Sequence, residues 1–120
     1  MIRLTALLRR NPALSRGEFE AHWRTTHAEL VAGLPGIQQR VVRYEQHSRL
    51  DEAPGRWTGS EGFDGIAVQW YRRVEDLAEL IVDPDYRSTV VPDERRLLDL
   101  QGSVFLVTGD PRVIIGDASG

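Results

Sequence analysis

The sequence predicts an α+β fold: a four-stranded antiparallel sheet with helices on one face. Three observations predict it. Short apolar segments alternate with the two-residue period of a strand, two other stretches carry apolar residues at helical spacing, and these come in the order β-α-β-β-α-β.

Ile2, Leu4, Ala6 and Leu8 fall on one side of a first strand, which Arg9-Arg10 and the Asn11-Pro12 breaker close. Ser15-Arg16-Gly17-Glu18 has the spacing of a capping box, in which the serine hydroxyl and the glutamate carboxylate each satisfy a free backbone N–H. Behind it Phe19, Trp23, Thr26, His27, Leu30, Val31 and Leu34 recur at helical spacing, and Pro35-Gly36 is expected to end this amphipathic helix. A second strand is expected over roughly residues 38 to 48, with Val42, Tyr44, Gln46 and Ser48 sharing one face. Asp51 to Gly62 is loop chemistry, and Trp57 within it has no periodic partner.

Asp64 to Arg72 reads as the third strand, with Ile66, Val68 and Trp70 on one face. A short helix follows over Glu75 to Ile81; Asp83-Pro84 caps another turn, and Pro92 is expected to open a last helical segment through Leu97. Ser103 to Thr108 is the fourth strand, and the apolar Val113 to Ile115 either continues the sheet or reaches a partner chain. Residues 1–116 are expected to form one domain, with 117–120 a disordered tail. The two βαβ halves define the ferredoxin-like arrangement. Helices on one side leave the other sheet face open and partly apolar, so a homodimer through that face is expected.

Composition narrows the chemistry. The chain has 120 residues, enough for one core. Its 15 basic and 18 acidic residues give a net charge of −3, which argues against a nucleic-acid partner. Every basic residue is Arg, so a lysine Schiff base is excluded; there is no Cys, so thiolate catalysis and sulfur-ligated zinc are excluded too. No apolar run is long enough to span a bilayer and the first ten residues do not make a signal peptide, so a cytoplasmic location is the expectation. There is no nucleotide-binding glycine motif and no H-E-x-x-H, so neither a cofactor nor a metal is expected.

The informative stripe is Phe19-x-x-x-Trp23-x-x-x-His27-x-x-x-Val31, one helical face looking at the sheet. Desolvation there favours a neutral imidazole, which can move a proton or hydrogen-bond a carbonyl. The alternative is a buried histidine satisfied by a backbone carbonyl. Tyr44 on the second strand is a candidate to polarise a substrate carbonyl, and Asp64 a candidate to orient His27. Trp70 and Tyr86 join Phe19, Trp23 and Val31 as candidate substrate contacts, with ordinary core packing as the alternative. Glu94 reads as an acid favoured near a helix start. His22 lies ~140° from His27 at ~100° per residue, so the two imidazoles are not expected to share a ligand.

At this stripe, from Leu14 to Val31 and on to Leu34-Pro35-Gly36, the chain resembles the EthD family; Asp83-Pro84-x-Tyr86 and Pro92-Asp93-Glu94 are also similar to its pattern. The Asp51–Gly62 segment departs from that pattern. The resemblance implies a dimeric α+β barrel with a cavity between helices and sheet, and the family's histidine and tryptophan correspond to His27 and Trp23. Relatives in the superfamily include polyketide cyclases, lactone isomerases, dehydratases, cofactor-free monooxygenases and haem-handling enzymes. The expected function is therefore cofactor-free acid–base chemistry (cyclisation, isomerisation or dehydration) on a small apolar, carbonyl-rich or polyketide-like substrate. An oxidoreductase accessory and a non-catalytic dimer that binds a hydrophobic ligand are the competing readings.

Overall fold

The computed structural model describes residues 1–55, 57 and 62–117. Strand β1 (Ile2–Leu8) is followed by a long helical run: α1 (Arg16–His22), a π turn (Trp23–His27), α2 (Ala28–Gly33) and α3 (Pro35–Arg40). Then come β2 (Val41–Ser48), β3 (Gly65–Tyr71), α4 (Val74–Ile81), a second π turn (Tyr86–Val90), α5 (Val91–Leu97) and β4 (Val104–Thr108). The strands lie in the order β2-β3-β1-β4, every neighbouring pair antiparallel, which is the expected ferredoxin-like sheet.

The capping box forms as its spacing predicts: Glu18 N–H donates to Ser15 Oγ at 3.0 Å, and Ser15 N–H to Glu18 Oε1 at 2.9 Å. Residues Phe19, Trp23, His27 and Val31 are all buried. Thr26 is not; it faces solvent. The chain does not become extended at Pro35. Leu34 breaks the helix with an extended backbone, Pro35 takes a first-turn position where its missing N–H costs nothing, and α3 runs to Arg40. The second strand therefore starts at Val41, not near residue 38.

Pro92 differs in a similar way. It does not open a helix but sits within one, because the helical backbone already begins at Pro84, where Asp83 Oδ1 accepts from the N–H groups of Asp85 and Tyr86. Proline cannot donate to the carbonyl four residues back, and the chain widens into a π turn just before it, with Val91 N–H bonded to Tyr86 O. At the first π turn the Thr25 hydroxyl donates to the Ala21 carbonyl at 2.6 Å, a side-chain bond of the kind that bends helices. There the Trp23 carbonyl accepts from the Gln46 amide of β2 at 2.9 Å.

Strand register assigns the faces. Ala6 pairs with both Ala67 and Phe105, and Tyr44 with Gln69, so these side chains all look toward the helices. Two buried clusters fill that space, one around Phe19, Trp23 and Leu97, the other around Val31, Tyr71 and Leu80; Tyr44 packs against both. The opposite face presents Leu7, Ile66, Val68, Trp70 and Leu106, and Leu50, Ala53, Trp57 and Phe63 of the long loop border it beside Leu7 and Ile66. All of β4 is exposed, as is the segment with Val113, Ile114 and Ile115. That segment makes no strand, so it does not continue the sheet. Of the expected tail, 118–120 lie outside the described residues, as do 56 and 58–61 of the long loop, where Trp57 is exposed. Among the described residues no helix is long and apolar enough to cross a membrane.

Candidate active site

A cavity of about 90 Å³ opens where the two core clusters meet, several times the roughly 10–15 Å³ that a single water needs. Its wall includes Trp23 and His27 from the first π turn, Tyr44 from β2, Gln69 from β3, and Tyr86 and Glu94 from the second helical run. Ala6, Leu80 and Leu98 supply apolar wall. A smaller inner space of about 20 Å³ adjoins it, bounded by Val31, His27, Tyr44 and Glu94. His27, Trp23 and Tyr44 thus converge on one volume.

His27 is held from behind. Its Nδ1 lies 2.8 Å from Oδ2 of Asp93, whose carboxylate is 1% exposed. A carboxylate only accepts, so the neutral His27 ring carries its proton on Nδ1 and keeps a lone pair on Nε2. Burial alone pushes the Asp93 carboxyl up, but hydrogen bonds from His27 and His22 outweigh it and hold Asp93 below its ordinary value. The other oxygen, Oδ1, is 2.7 Å from His22 Nε2. The two imidazoles therefore do share a partner. The physical reason is the π turn: bonding five residues apart brings residues 22 and 27 to roughly one turn of separation, where an α-helix would splay them.

The expected orienting role of Asp64 is corrected by this geometry. Asp64 is buried beneath Arg10, whose guanidinium reaches both its oxygens at 2.9 and 2.8 Å, with Arg49 Nη2 at 3.4 Å. It ties the end of β1 to the start of β3 and does not line the cavity. Trp70 is also elsewhere. It points from the open sheet face, sandwiched by Arg3 and Arg43 with guanidinium carbons 5.4 and 5.6 Å from its ring. A two-residue period separates it from Gln69 and Tyr71, which look into the cavity. Phe19 backs the site without lining it: its ring stacks on Trp23 at 5.3 Å. Tyr86 does line the cavity, and Val31 bounds the inner space.

Three residues that complete the site were not anticipated in these roles: Asp93, Glu94 and His22. A signal for Asp93 exists in the sequence. Tyr86, Val90, Asp93 and Leu97 fall at spacings of four, three and four, so an acid occupies a place in an apolar helical stripe. Glu94 accepts from the Tyr86 hydroxyl at 2.7 Å. Burial pushes the Glu94 carboxyl up, partly opposed by the Tyr86 hydrogen bond and by His27, and Asp93 adds repulsion in the same direction as burial. The hydroxyls of Tyr44, Tyr71 and Tyr86 are likewise pushed up, chiefly by burial and then, for Tyr71 and Tyr86, by Glu94. All three remain hydrogen-bond donors. Tyr71 donates to Gln69 Oε1. Tyr44 Oη accepts from the Gln46 amide at 3.2 Å, and its own proton remains to donate.

The EthD domain family model matches residues 11–101, which span the helices, strands β2 and β3 and every cavity residue named above except Ala6. The chain belongs to the EthD family. Among its relatives, the conidial pigment biosynthesis dehydratase EthD of Metarhizium robertsii is 27% identical over 112 residues, covering 87% of this chain and 78% of that protein. An ethyl tert-butyl ether D (EthD) family protein from Bacillus halodurans has the same fold, with a TM-score of 0.67 at 18% identity over 92% of this EthD chain and 99% of that one. A dimeric ferredoxin-like protein of unknown function from Thermobifida fusca matches with a TM-score of 0.62 at 19% identity, over 89% and 88% of the two chains.

Proposed function

We propose that this EthD-domain protein is a cofactor-independent dehydratase of small, mostly apolar β-hydroxyketones. The observation that carries the reading is the His27–Asp93 pair, whose free Nε2 faces an apolar cavity that also holds the Glu94 carboxyl, pushed up by burial, and a tyrosine donor. His27 Nε2 takes the proton from the carbon next to the carbonyl. The C–H electrons form the new C=C bond, the C–O bond to the β-hydroxyl breaks, and Glu94 delivers its proton so that water leaves. The Tyr44 hydroxyl holds the oxygen on which enolate charge develops. The resting state returns when the proton on His27 Nε2 passes to the Glu94 carboxylate; both groups border the same cavity. The elevated carboxyl and the dehydratase among the relatives favour elimination over the cyclisation and isomerisation that the same base would serve. The protein acts as a homodimer through the open sheet face, a reading supported by the apolar residues there and by a relative described as dimeric.

The test is turnover of 3-hydroxy-1-tetralone, an apolar bicyclic β-hydroxyketone, followed by naphthol fluorescence, with deuterium exchange of 1-tetralone as the readout of proton abstraction alone. His27→Gln is expected to lower both rates by about 10²–10⁴. Asp93→Asn is expected to do the same on that order, by allowing the wrong tautomer. Asp64→Asn is expected to cost about 1–3 kcal/mol of stability and leave kcat unchanged. Full activity in His27→Gln, or binding of the ketones with no turnover or exchange in the wild type, defeats the proposal.

A further inference from the structure

The His22 side chain is the part of this cluster that the acid–base reading leaves unused. It lies outside the cavity, in a separate surface groove with Glu18, Thr25 and Arg96, and is about one-third exposed. Even so, its Nε2 is within 2.7 Å of the buried Asp93 Oδ1, a shorter contact than an ordinary neutral N–H···O bond. An ionised carboxylate gripped on both oxygens requires a donor on each side. His22 must then carry its proton on Nε2 while His27 carries its own on Nδ1. Both donors come from one helix and meet a single acceptor on another. The π turn between them is what permits this.

We propose that His22 is the positioning residue of the base: by donating to Asp93 Oδ1 it fixes the carboxylate so that Oδ2 takes the His27 Nδ1 proton and the His27 Nε2 lone pair is presented to the cavity. This rests on His27 being the base. Without the His22 contact, the Asp93 carboxylate is free to turn about its side-chain bonds, and His27 is free to adopt the other tautomer. Arg96 does not replace that contact. Its Nη1 is 3.7 Å from Asp93 Oδ1, beyond hydrogen-bond range, and its side chain is 73% exposed. The other acids around the cluster are Glu18 in the outer groove and Glu94 in the cavity. Glu94 is bonded to the Tyr86 hydroxyl, and the described hydrogen bonds of the Asp93 carboxylate come from the two imidazoles, so the holding role falls to His22.

The chain has three histidines, so two-bond ¹H–¹⁵N spectra resolve each imidazole and report which ring nitrogen carries the proton. In the alkaline arm of a pH titration, the wild type is expected to show His27 as the Nδ1–H tautomer and His22 as the Nε2–H tautomer. His22→Phe is expected to lower the His27 tautomer ratio about fivefold to tenfold, the scale of one lost hydrogen bond. His22→Gln, whose amide N–H can reach Oδ1, is expected to restore it. If His22→Phe does not fold, His22→Ala, which only truncates a partly exposed side chain, is read in the same way. In the turnover assay the Phe variant is expected to lower kcat with KM held, and the Gln variant to recover it. A wild-type His27 with its proton on Nε2, or a folded Phe or Ala variant with an unchanged His27 tautomer, overturns the proposal. The spectra need no substrate, so inert tetralones alongside the expected tautomers would defeat only the dehydratase reading, and active tetralones alongside the wrong tautomers only this one.

Discussion

At the scale of single residues, two neighbouring acids on α5 have opposite fates because their surroundings differ. Asp93 meets donors on both oxygens and is held low, whereas Glu94 meets one tyrosine hydroxyl in an apolar wall and is pushed up. The two pull folding stability in opposite directions with pH. Glu94 titrates higher folded than unfolded, so its favourable share is complete below about pH 4.3, the unfolded glutamate value, and is lost as pH rises through its folded value. Asp93 titrates lower folded than unfolded, so its share is present above about pH 3.9 and is lost as pH falls through its folded value. Glu94→Gln is therefore expected to gain stability relative to wild type as pH rises upward from about 4, levelling once wild-type Glu94 is ionised. Urea midpoints measured across that range check this; parallel curves for the two proteins would show that Glu94 is not desolvated.

At the scale of elements, the site depends on how closely the first helical run approaches β3. Gly65 opens β3 beneath the Trp23 ring, and a Cβ there would lie 2.8 Å from Trp23 Cη2 and 3.0 Å from the His47 carbonyl oxygen. The indole is pinned on its other side by the Phe19 stack, and the carbonyl belongs to the paired strand, so neither gives way cheaply. Gly65→Ala is expected to destabilise by about 1–3 kcal/mol, as overpacking does. It also displaces the Trp23 ring and so narrows the cavity. Thermal unfolding and tryptophan near-UV circular dichroism measure the two effects, and an unchanged Tm would mean that the helix rides freely over β3.

At the scale of the whole molecule, one protomer leaves apolar surface that a lone chain does not cover. Val104, Phe105, Leu106 and Val107 of β4 are all about half exposed, and Ile114 and Ile115 are almost fully so. An exposed apolar edge strand and a bare sheet face are association surfaces. The proposed open-face dimer would cover Val68 and Leu106, which share that face with the Arg3–Trp70–Arg43 sandwich. Val68→Glu is expected to convert the dimer to monomer or weaken it by at least tenfold, because it places a charge where apolar faces meet. Light scattering across a dilution series reads this out. A wild type that is monomeric at every concentration, or a dimer indifferent to the substitution, would remove the open face as the interface.

Local pattern was enough for the strands, the capped first helix and the buried Phe19–Trp23–His27–Val31 stripe, since each depends on periods of two or about four residues and on near-neighbour capping. The same period puts Tyr44 on one face with Gln46 without saying that the helices cover that face. What the chain could not reveal locally is which distant groups meet. Asp64 looks free for His27 until β1 brings Arg10 onto it, and Asp93 looks like one more surface acid until α5 turns it toward α1. Trp70 faces away from the cavity by a single step of strand alternation, a distinction that depends on which face the helices choose. The π turns add one residue per turn, an amount too small to shift the hydrophobic stripe yet large enough to bring His22 and His27 onto one carboxylate. Periodicity is a property of a few adjacent residues and survives in the sequence; a hydrogen bond between residues 66 and 71 positions apart exists only once the sheet and helices have packed.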